Sequence, residues 1–125
     1  MSAQLYLDDL YVGQKFVSGG HLIDEAQIIA YAKQFDPQVF HLDAEAAKNT
    51  FFQGLAASGW HTASLSMRLV TESIPLVDGV IGGGMEELAW PQPTRPGDIL
   101  QVDSEIIEII PSQSKPNRAM VRVLC

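Results

Sequence analysis

Hydrophobic and polar residues follow two different periods along this chain, and the change falls near residue 79. Before it, apolar residues recur at helical spacing, as Ile28, Ala32 and Phe35 do, and this spacing predicts helices. After it, the pattern favours strands over residues 80–90, 99–110 and 117–124. One earlier strand is predicted over residues 14–23. The pattern therefore predicts an α+β fold.

The first predicted helix begins after Asp24 and ends before Pro37. Asp24 is followed three residues later by Gln27, an arrangement that resembles a capping box. A residue before proline is disfavoured in the α conformation, so Asp36 is expected just past the last helical turn. We expect Asp36 to open a loop that runs to Leu42.

A short second helix is predicted after Asp43, which can cap it, and a long third helix over residues 59–73. The long helix is apolar or small around most of its circumference, and Arg68 and Glu72 are its only charged residues. Such a helix is expected to be buried on several sides. We expect the strands that follow to form an antiparallel sheet long enough to wrap around it.

The strand predicted over residues 99–110 contains an irregularity. Val102 and Ser104 alternate with polar residues, as in a strand with one wet face, but the phase slips at Ile106 and Ile107. The slip predicts a bulge or a strong bend.

Composition narrows the class of protein. A length of 125 residues with 46% hydrophobic residues indicates one compact domain over residues 1–125. Eight Lys and Arg against fifteen Asp and Glu give a net charge of -7, the wrong sign for binding nucleic acid or anionic lipid. Cys125 is the single cysteine, so no internal disulfide can form. Acidic residues stand near the N-terminus where a signal peptide would have basic ones, and we expect a cytoplasmic protein with no membrane partner.

The densest polar cluster contains Asp36 and His41. A carboxylate and an imidazole form an acid/base pair that can hold one water and transfer its proton, if both lie within about 3 Å of it. The residues alone leave an alternative open. An Asp after a helix often binds backbone amides, and one His among apolar neighbours is often a hydrogen-bonded core residue.

A second candidate lies at the start of the long helix, at Ser58 and Gly59. Free amides at a helix N-terminus are well placed to stabilise a developing oxyanion, and glycine lets a ligand approach the backbone. The alternative is an ordinary helix start, with Ser58 as the N-cap and Gly59 as a close-packing residue.

The sequence indicates neither a metal site nor a dinucleotide-binding site. His21, His41 and His61 lie twenty residues apart, without a helix-face ligand spacing and without a second cysteine, so no metal site is predicted. The triple glycine at residues 82–84 lacks the spacing of a dinucleotide-binding loop and indicates a strand bend instead. We therefore expect no bound cofactor.

Four groups of residues, taken in order, resemble the MaoC-like dehydratases, a family that includes (R)-specific enoyl-CoA hydratases. They are Asp36 with His41 and Asp43, the run from Ser58 to His61, Trp90 with Pro91, and the run from Arg95 to Asp98. The resemblance covers the chain from about Tyr6 onward. It implies the hotdog fold, in which an antiparallel β-sheet wraps around a long central α-helix, here without the family's usual last strand. It also implies a homodimer or a higher homo-oligomer, because hotdog subunits generally pair.

The resemblance implies a hydratase that adds water across the 2,3 double bond of an enoyl thioester. Asp36 and His41 would activate the water, and backbone amide near Ser58 and Gly59 would hold the thioester oxygen. Ser64 would line the acyl pocket, and a CoA thioester would be the substrate. Two alternatives remain, an acyl-CoA thioesterase and a non-catalytic thioester-binding hotdog module. The family loop usually reads Asp-x-Asn-Pro-x-His, whereas here proline directly follows Asp36 and the Asn is absent.

Overall fold

A computed structural model describes residues 4–125 and contains helices and antiparallel strands. The helices are α1 (Glu25–Phe35), α2 (Val39–Leu42), α3 (Ala44–Ala47) and α4 (Gly59–Ser73). The strands are β1 (Lys15–Val17), β2 (His21–Leu22), β3 (Ile99–Leu100), β4 (Asp103–Pro111) and β5 (Ala119–Leu124). The α+β class predicted from the pattern is confirmed. None of the helices in the described part of the chain is both long and apolar enough to span a bilayer.

Three strands form one sheet in the order β1-β4-β5, all antiparallel. The sheet belongs to a compact unit made of residues 1–19, 68–83 and 101–125, of which the first three are not described. Val102, Ser104 and Ile106 are all buried, so the predicted alternation is confirmed. The pairing of β4 with β5 shifts register between Ile106 and Glu108, which confirms the predicted bulge.

The strand predicted over residues 14–23 is two short strands in different sheets. β1 pairs with β4, whereas β2 pairs with β3 in a separate two-stranded sheet. After β1, the Ser18 hydroxyl accepts a hydrogen bond from the Val102 N–H at 2.8 Å and donates one to the Gly19 carbonyl at 2.8 Å. Because this side chain takes the place of a backbone acceptor, the regular ladder ends there. The strand predicted over residues 99–110 is likewise divided into β3 and β4.

The strand predicted over residues 80–90 is not formed in the described chain. Its apolar side chains are exposed, with Ile81 at 98% and Met85 at 61%. A β pattern becomes a strand only when a neighbouring strand accepts its backbone hydrogen bonds, and no strand among residues 4–125 takes that place.

The second compact unit consists of residues 20–67 and 84–100. Its core contains Ile23, Ile28, Leu55 and Ala57, none of them more than 7% exposed. The prediction of one domain over residues 1–125 stays a prediction.

Helix α1 starts as the sequence predicts. The Asp24 carboxylate accepts the Gln27 N–H at 2.8 Å. The other half of the predicted capping box is missing, because the Gln27 amide instead contacts the Leu22 carbonyl and the His21 ring.

The segment predicted as a loop from Asp36 to Leu42 is partly helical. Pro37 follows α1, but the next residues close a helical turn of their own, α2, in which the His41 N–H donates to the Gln38 carbonyl at 2.9 Å. His41 therefore lies on a fixed helical turn. The predicted cap of the next helix is confirmed, because the Asp43 carboxylate accepts two N–H groups of α3.

Helix α4 matches its predicted bounds but not its predicted burial. Within the described chain only His61 and Leu69 of this helix are buried. Trp60, Ser64 and Met67 are exposed at spacings of four and three residues, so they share one face of the helix. The expectation of burial on several sides is wrong for a single chain, because the side chains on that face stay exposed among residues 4–125.

Replacing Ile28 tests the core of the second unit. Ile28→Ala leaves a cavity at a fully buried position, and we expect the free energy of unfolding to fall by about 2 to 5 kcal/mol in urea denaturation. Lys33→Ala, at an exposed position of α1, is the control and is expected to change it by less than about 0.5 kcal/mol. Equal effects of the two substitutions would contradict this assignment of the core.

Candidate functional site

The carboxylate of Asp36 is held by hydrogen bonds from two side chains. Oδ2 accepts from the Ser58 hydroxyl at 2.7 Å, and Oδ1 accepts from the Gln38 amide at 2.6 Å. The backbone N–H of Asp36 donates to the Ala32 carbonyl at 2.9 Å, which fixes the residue at the end of α1. The side chain keeps 21% of its surface exposed. The carboxylate therefore has one orientation and still touches solvent.

His41 lies against this carboxylate. Its Nδ1 lies 2.6 Å from the Ala56 carbonyl oxygen, which can only accept, so Nδ1 carries a proton. Its Nε2 lies 3.3 Å from Asp36 Oδ2. The ring is buried and packs edge-on against Phe40, with Phe52 nearby at a centroid distance of 6.1 Å. The structure thus brings together the two residues predicted as an acid/base pair.

The fixed tautomer decides what the pair can do. In neutral His41 the Nε2 atom bears a lone pair, and it faces a carboxylate oxygen that is also an acceptor. Two acceptors at this distance form no direct hydrogen bond, so the contact becomes a hydrogen bond only when a proton lies between them. The two side chains are therefore placed so that they can share one proton.

The pKa of Asp36 lies below its ordinary value of 3.8. Burial acts in the opposite direction and raises it, but the hydrogen bonds from Ser58 and Gln38 and the nearby His41 together outweigh burial. At neutral pH the carboxylate is ionised and can accept a proton.

Ser58 has a contact that the sequence did not predict. Its hydroxyl points to Asp36 rather than to the amides of α4, so it does not cap the helix with its side chain. Its carbonyl does begin the helix, accepting the N–H groups of His61 and Thr62. The side chain is fully buried, and burying a hydroxyl is favourable when it has such a partner.

Gly59 lies directly after Ser58, and Trp90 packs against it. A Cβ atom added to Gly59 would come within 2.8 Å of the Trp90 ring, closer than real Cβ contacts allow. The interpretation of Gly59 as a close-packing residue is thereby supported. Among residues 4–125 its backbone N–H has no hydrogen-bond acceptor, as is usual for the first turn of a helix.

An apolar cavity of about 250 Å³ lies beside Gly59. Three aromatic side chains, Phe51, Phe52 and Trp90, line it together with Ala57 and Thr62. Ser64 is not among the residues that line it. The Ser64 hydroxyl donates to the Trp60 carbonyl of its own helix at 2.7 Å, and its role in an acyl pocket stays a prediction.

His61 is buried and stacked on Tyr31 with a ring separation of 4.6 Å. Burial, and to a lesser degree His21, lowers its pKa, so it is neutral. Within the described residues its Nδ1 has no hydrogen-bond partner, and no three His, Cys, Asp or Glu side chains are grouped so as to hold a metal.

Sequence reasoning missed the contacts of Gln38, Ser58 and the Ala56 carbonyl. Gln38 stands inside the loop where the family pattern has other residues, so the departure from that pattern was the available signal. The Ala56 carbonyl carries no signal at all, because any residue has one.

The chain is similar to known proteins in both sequence and structure. The sequence profile described as MaoC like domain matches residues 11–123. A MaoC-like dehydratase from Rhodospirillum rubrum, known from its crystal structure, is 54% identical, with a TM-score of 0.90 over 95% of this chain and 82% of that chain. The R-hydratase PhaJ1 from Pseudomonas aeruginosa, in its unliganded form, is 27% identical, with a TM-score of 0.69 over 93% of this chain and 72% of that chain.

An uncharacterised protein, YdeM of Bacillus subtilis (strain 168), is 33% identical over 112 residues, which are 89% of this chain and 77% of that protein. Together with the structural likenesses, this confirms the hotdog fold that the resemblance implied.

Removing the Ser58 hydroxyl tests the electrostatics of the carboxylate. We expect Ser58→Ala to raise the pKa of Asp36 in an NMR titration, because a hydrogen bond to the ionised form is lost. Ser64→Ala, on the adjoining helix α4, is the control and should leave that pKa unchanged.

The lowered pKa of Asp36 also makes the free energy of unfolding depend on pH. The folded-state pKa of Asp36 is depressed, so its ionised form favours folding above pH about 4, and this contribution is lost as pH falls through the folded-state pKa. Ser58→Ala should therefore weaken this part of the pH dependence of unfolding. An unchanged pKa of Asp36 in that variant would refute the role of Ser58.

Proposed function

Since the chain belongs to the MaoC-like domain family, we propose that it is a hydratase or dehydratase that acts on the 2,3 double bond of an enoyl thioester. One observation carries the proposal. Asp36 Oδ2 and His41 Nε2 lie 3.3 Å apart, Ser58 and the Ala56 carbonyl hold the two side chains by separate hydrogen bonds, and 21% of the Asp36 side chain is exposed to solvent. This arrangement supports the binding of one water that contacts both atoms and is activated by them.

In the proposed reaction Asp36 and His41 bind one water between them. The pair removes a proton from the water as its oxygen forms a bond to C3 of the substrate, and the π electrons of the double bond move toward the thioester. The pair then delivers a proton to C2, so that water is added across the bond and both residues return to their starting state. The dehydration direction uses the same steps in reverse.

Negative charge develops on the thioester oxygen during this reaction, and it needs a donor. The N–H of Gly59 adjoins Ser58, whose hydroxyl contacts Asp36, and it has no acceptor among the described residues. The start of α4 adds the positive end of the helix dipole. We assign the stabilisation of the enolate oxygen to this amide.

The substrate class is an acyl-CoA, bound without a further cofactor. The cavity beside Gly59 is lined by aromatic side chains and carries no charged group, which suits an acyl chain.

Removing either acid/base residue tests the reaction. We expect Asp36→Asn and His41→Gln to lower kcat by about 10²-fold to 10⁴-fold or more. The measurement follows the loss of enoyl thioester absorbance with short, medium and long 2-enoyl-CoA substrates. Asp78→Asn, on an exposed turn, is the matched control and should keep full activity.

The alternatives give different results in the same assay. A thioesterase would release free thiol from a saturated acyl-CoA, which a thiol reagent detects. A binding module would bind acyl-CoA without turnover. Full activity of Asp36→Asn would contradict the proposed mechanism, and turnover of the saturated substrate alone would replace it with hydrolysis.

We also propose that the active form is a homodimer or a larger homo-oligomer. Trp60 and Met67, on one face of α4, are 59% and 51% exposed, and the Trp60 ring contacts the 43%-exposed Trp90. Leu88 and Met85, a few residues before Trp90 in the sequence, are also exposed apolar side chains. A second copy of the chain offers the same surface, so the two can cover one another about a twofold axis.

A charge placed on this surface tests the association. We expect Met67→Glu to convert the oligomer to monomer in light scattering, because an ionised carboxylate would be buried at the interface. Lys33→Glu, exposed on α1, is the control and should keep the wild-type mass. A monomeric wild type would refute the proposal.

A further inference from the structure

The buried position of His41 depends on one backbone carbonyl, that of Ala56. Ala56 belongs to a segment over residues 55–58 that is buried throughout and has no regular secondary structure. A helix or a strand would fix a carbonyl by its own repeating hydrogen bonds, but here each peptide needs its own anchor. The anchors of this segment therefore determine where the His41 ring lies.

The side chain of Arg95 supplies one of those anchors, at Leu55, and a second contact shortly before the segment, at Phe52. Its guanidinium donates to the Phe52 carbonyl at 2.6 Å and to the Leu55 carbonyl at 3.2 Å. These carbonyls stand on either side of Gln53, which adopts a left-handed conformation at φ 56° that a residue with a side chain seldom takes. Arg95 thus bridges a strained turn directly before the segment that holds His41.

Arg95 is itself held firmly. Its backbone N–H donates to the Asp98 carboxylate at 2.8 Å, and Gly97, at φ 91°, completes the turn between them. The Asp98 carbonyl accepts the N–H of Ile23, a fully buried residue of the core. In the described chain no carboxylate forms an ion pair with the guanidinium, so its donors are directed to carbonyls.

Two further contacts bind the same segment to its neighbours. The Ala56 N–H donates to the Phe40 carbonyl at 3.0 Å, and the Ala57 N–H donates to the carbonyl of Thr94, the residue before Arg95, at 2.9 Å. The segment is thus held from one side by the helical turn that carries His41 and from the other by the turn that carries Arg95.

We propose that Arg95 is a positioning residue for His41. By holding the carbonyls of Phe52 and Leu55, it aims the Ala56 carbonyl at His41 Nδ1 and so keeps Nε2 free to share a proton with Asp36. Arg95 does not touch the reacting atoms, and its effect on turnover rests on the proposed hydratase function. Its effect on the position of the His41 ring is independent of that function.

The experiment compares Arg95→Met with Arg95→Lys. Met removes both donors, whereas Lys keeps the charge but cannot hold two carbonyls in the planar geometry of a guanidinium. In ¹⁵N NMR of the histidine rings, His41 of the wild type should show the Nδ1-protonated tautomer, and Arg95→Met should show a mixture. His41→Gln assigns the signals, and Arg68→Met, an exposed arginine of α4, is the control.

Kinetics give the second readout. We expect kcat of Arg95→Met to fall on the order of 10²-fold, as for a misplaced catalytic group, with a much smaller change in KM. Arg95→Lys should lie between it and the wild type. If Arg95→Met does not fold, Arg95→Lys carries the same comparison.

The outcomes separate the two proposals. An unchanged His41 tautomer in a folded Arg95→Met variant overturns the positioning role, whatever the activity. A wild type without hydratase activity overturns the proposed function, while the tautomer comparison still decides the role of Arg95. If Arg68→Met changes the His41 tautomer as much as Arg95→Met does, the positioning role of Arg95 is also overturned.

Discussion

The site depends on keeping an ionised carboxylate in a mostly buried position. Burial raises the pKa of Asp36, and the structure opposes this with donors from Ser58 and Gln38 and with the ring of His41. Each donor comes from a different part of the chain. Ser58 lies at the start of α4, Gln38 before α2, and the carboxylate itself at the end of α1. The junction of these three helices is therefore set by one charge and its hydrogen bonds.

His41 is also oriented by a hydrogen bond, but its partner is an acceptor, whereas the partners of Asp36 are donors. A carbonyl fixes its Nδ1 proton, and the other nitrogen is left facing Asp36. Two residues that would be ordinary structural groups alone are thus brought together, and the proposed proton transfer rests on this contact. The rings of Phe40 and Phe52 lie near the imidazole, which is buried, and its Nε2 faces the carboxylate.

Local signals predicted the helices and the pair itself. Asp24, Asp43 and Pro37 act on their own neighbours, so both ends of α1 and the start of α3 follow from short stretches of sequence. The segment over residues 80–90 shows where this fails, because a β pattern needs a partner strand that the sequence does not identify. Contacts across 40 residues, such as that of Arg95 with Leu55, leave no periodic trace. The pair could be predicted because a family motif carries it, whereas the groups that orient it could not.

Trp60 and Trp90 are the chain's two tryptophans, and their rings lie 5.8 Å apart at the start of α4. Trp90 also rests on Gly59 and lines the apolar cavity. All the intrinsic indole fluorescence of the molecule thus originates beside the cavity and the exposed face of α4. The protein carries its own optical reporter, and emission excited selectively at the indole rings, beyond the absorption of its three tyrosines, records events at this one location.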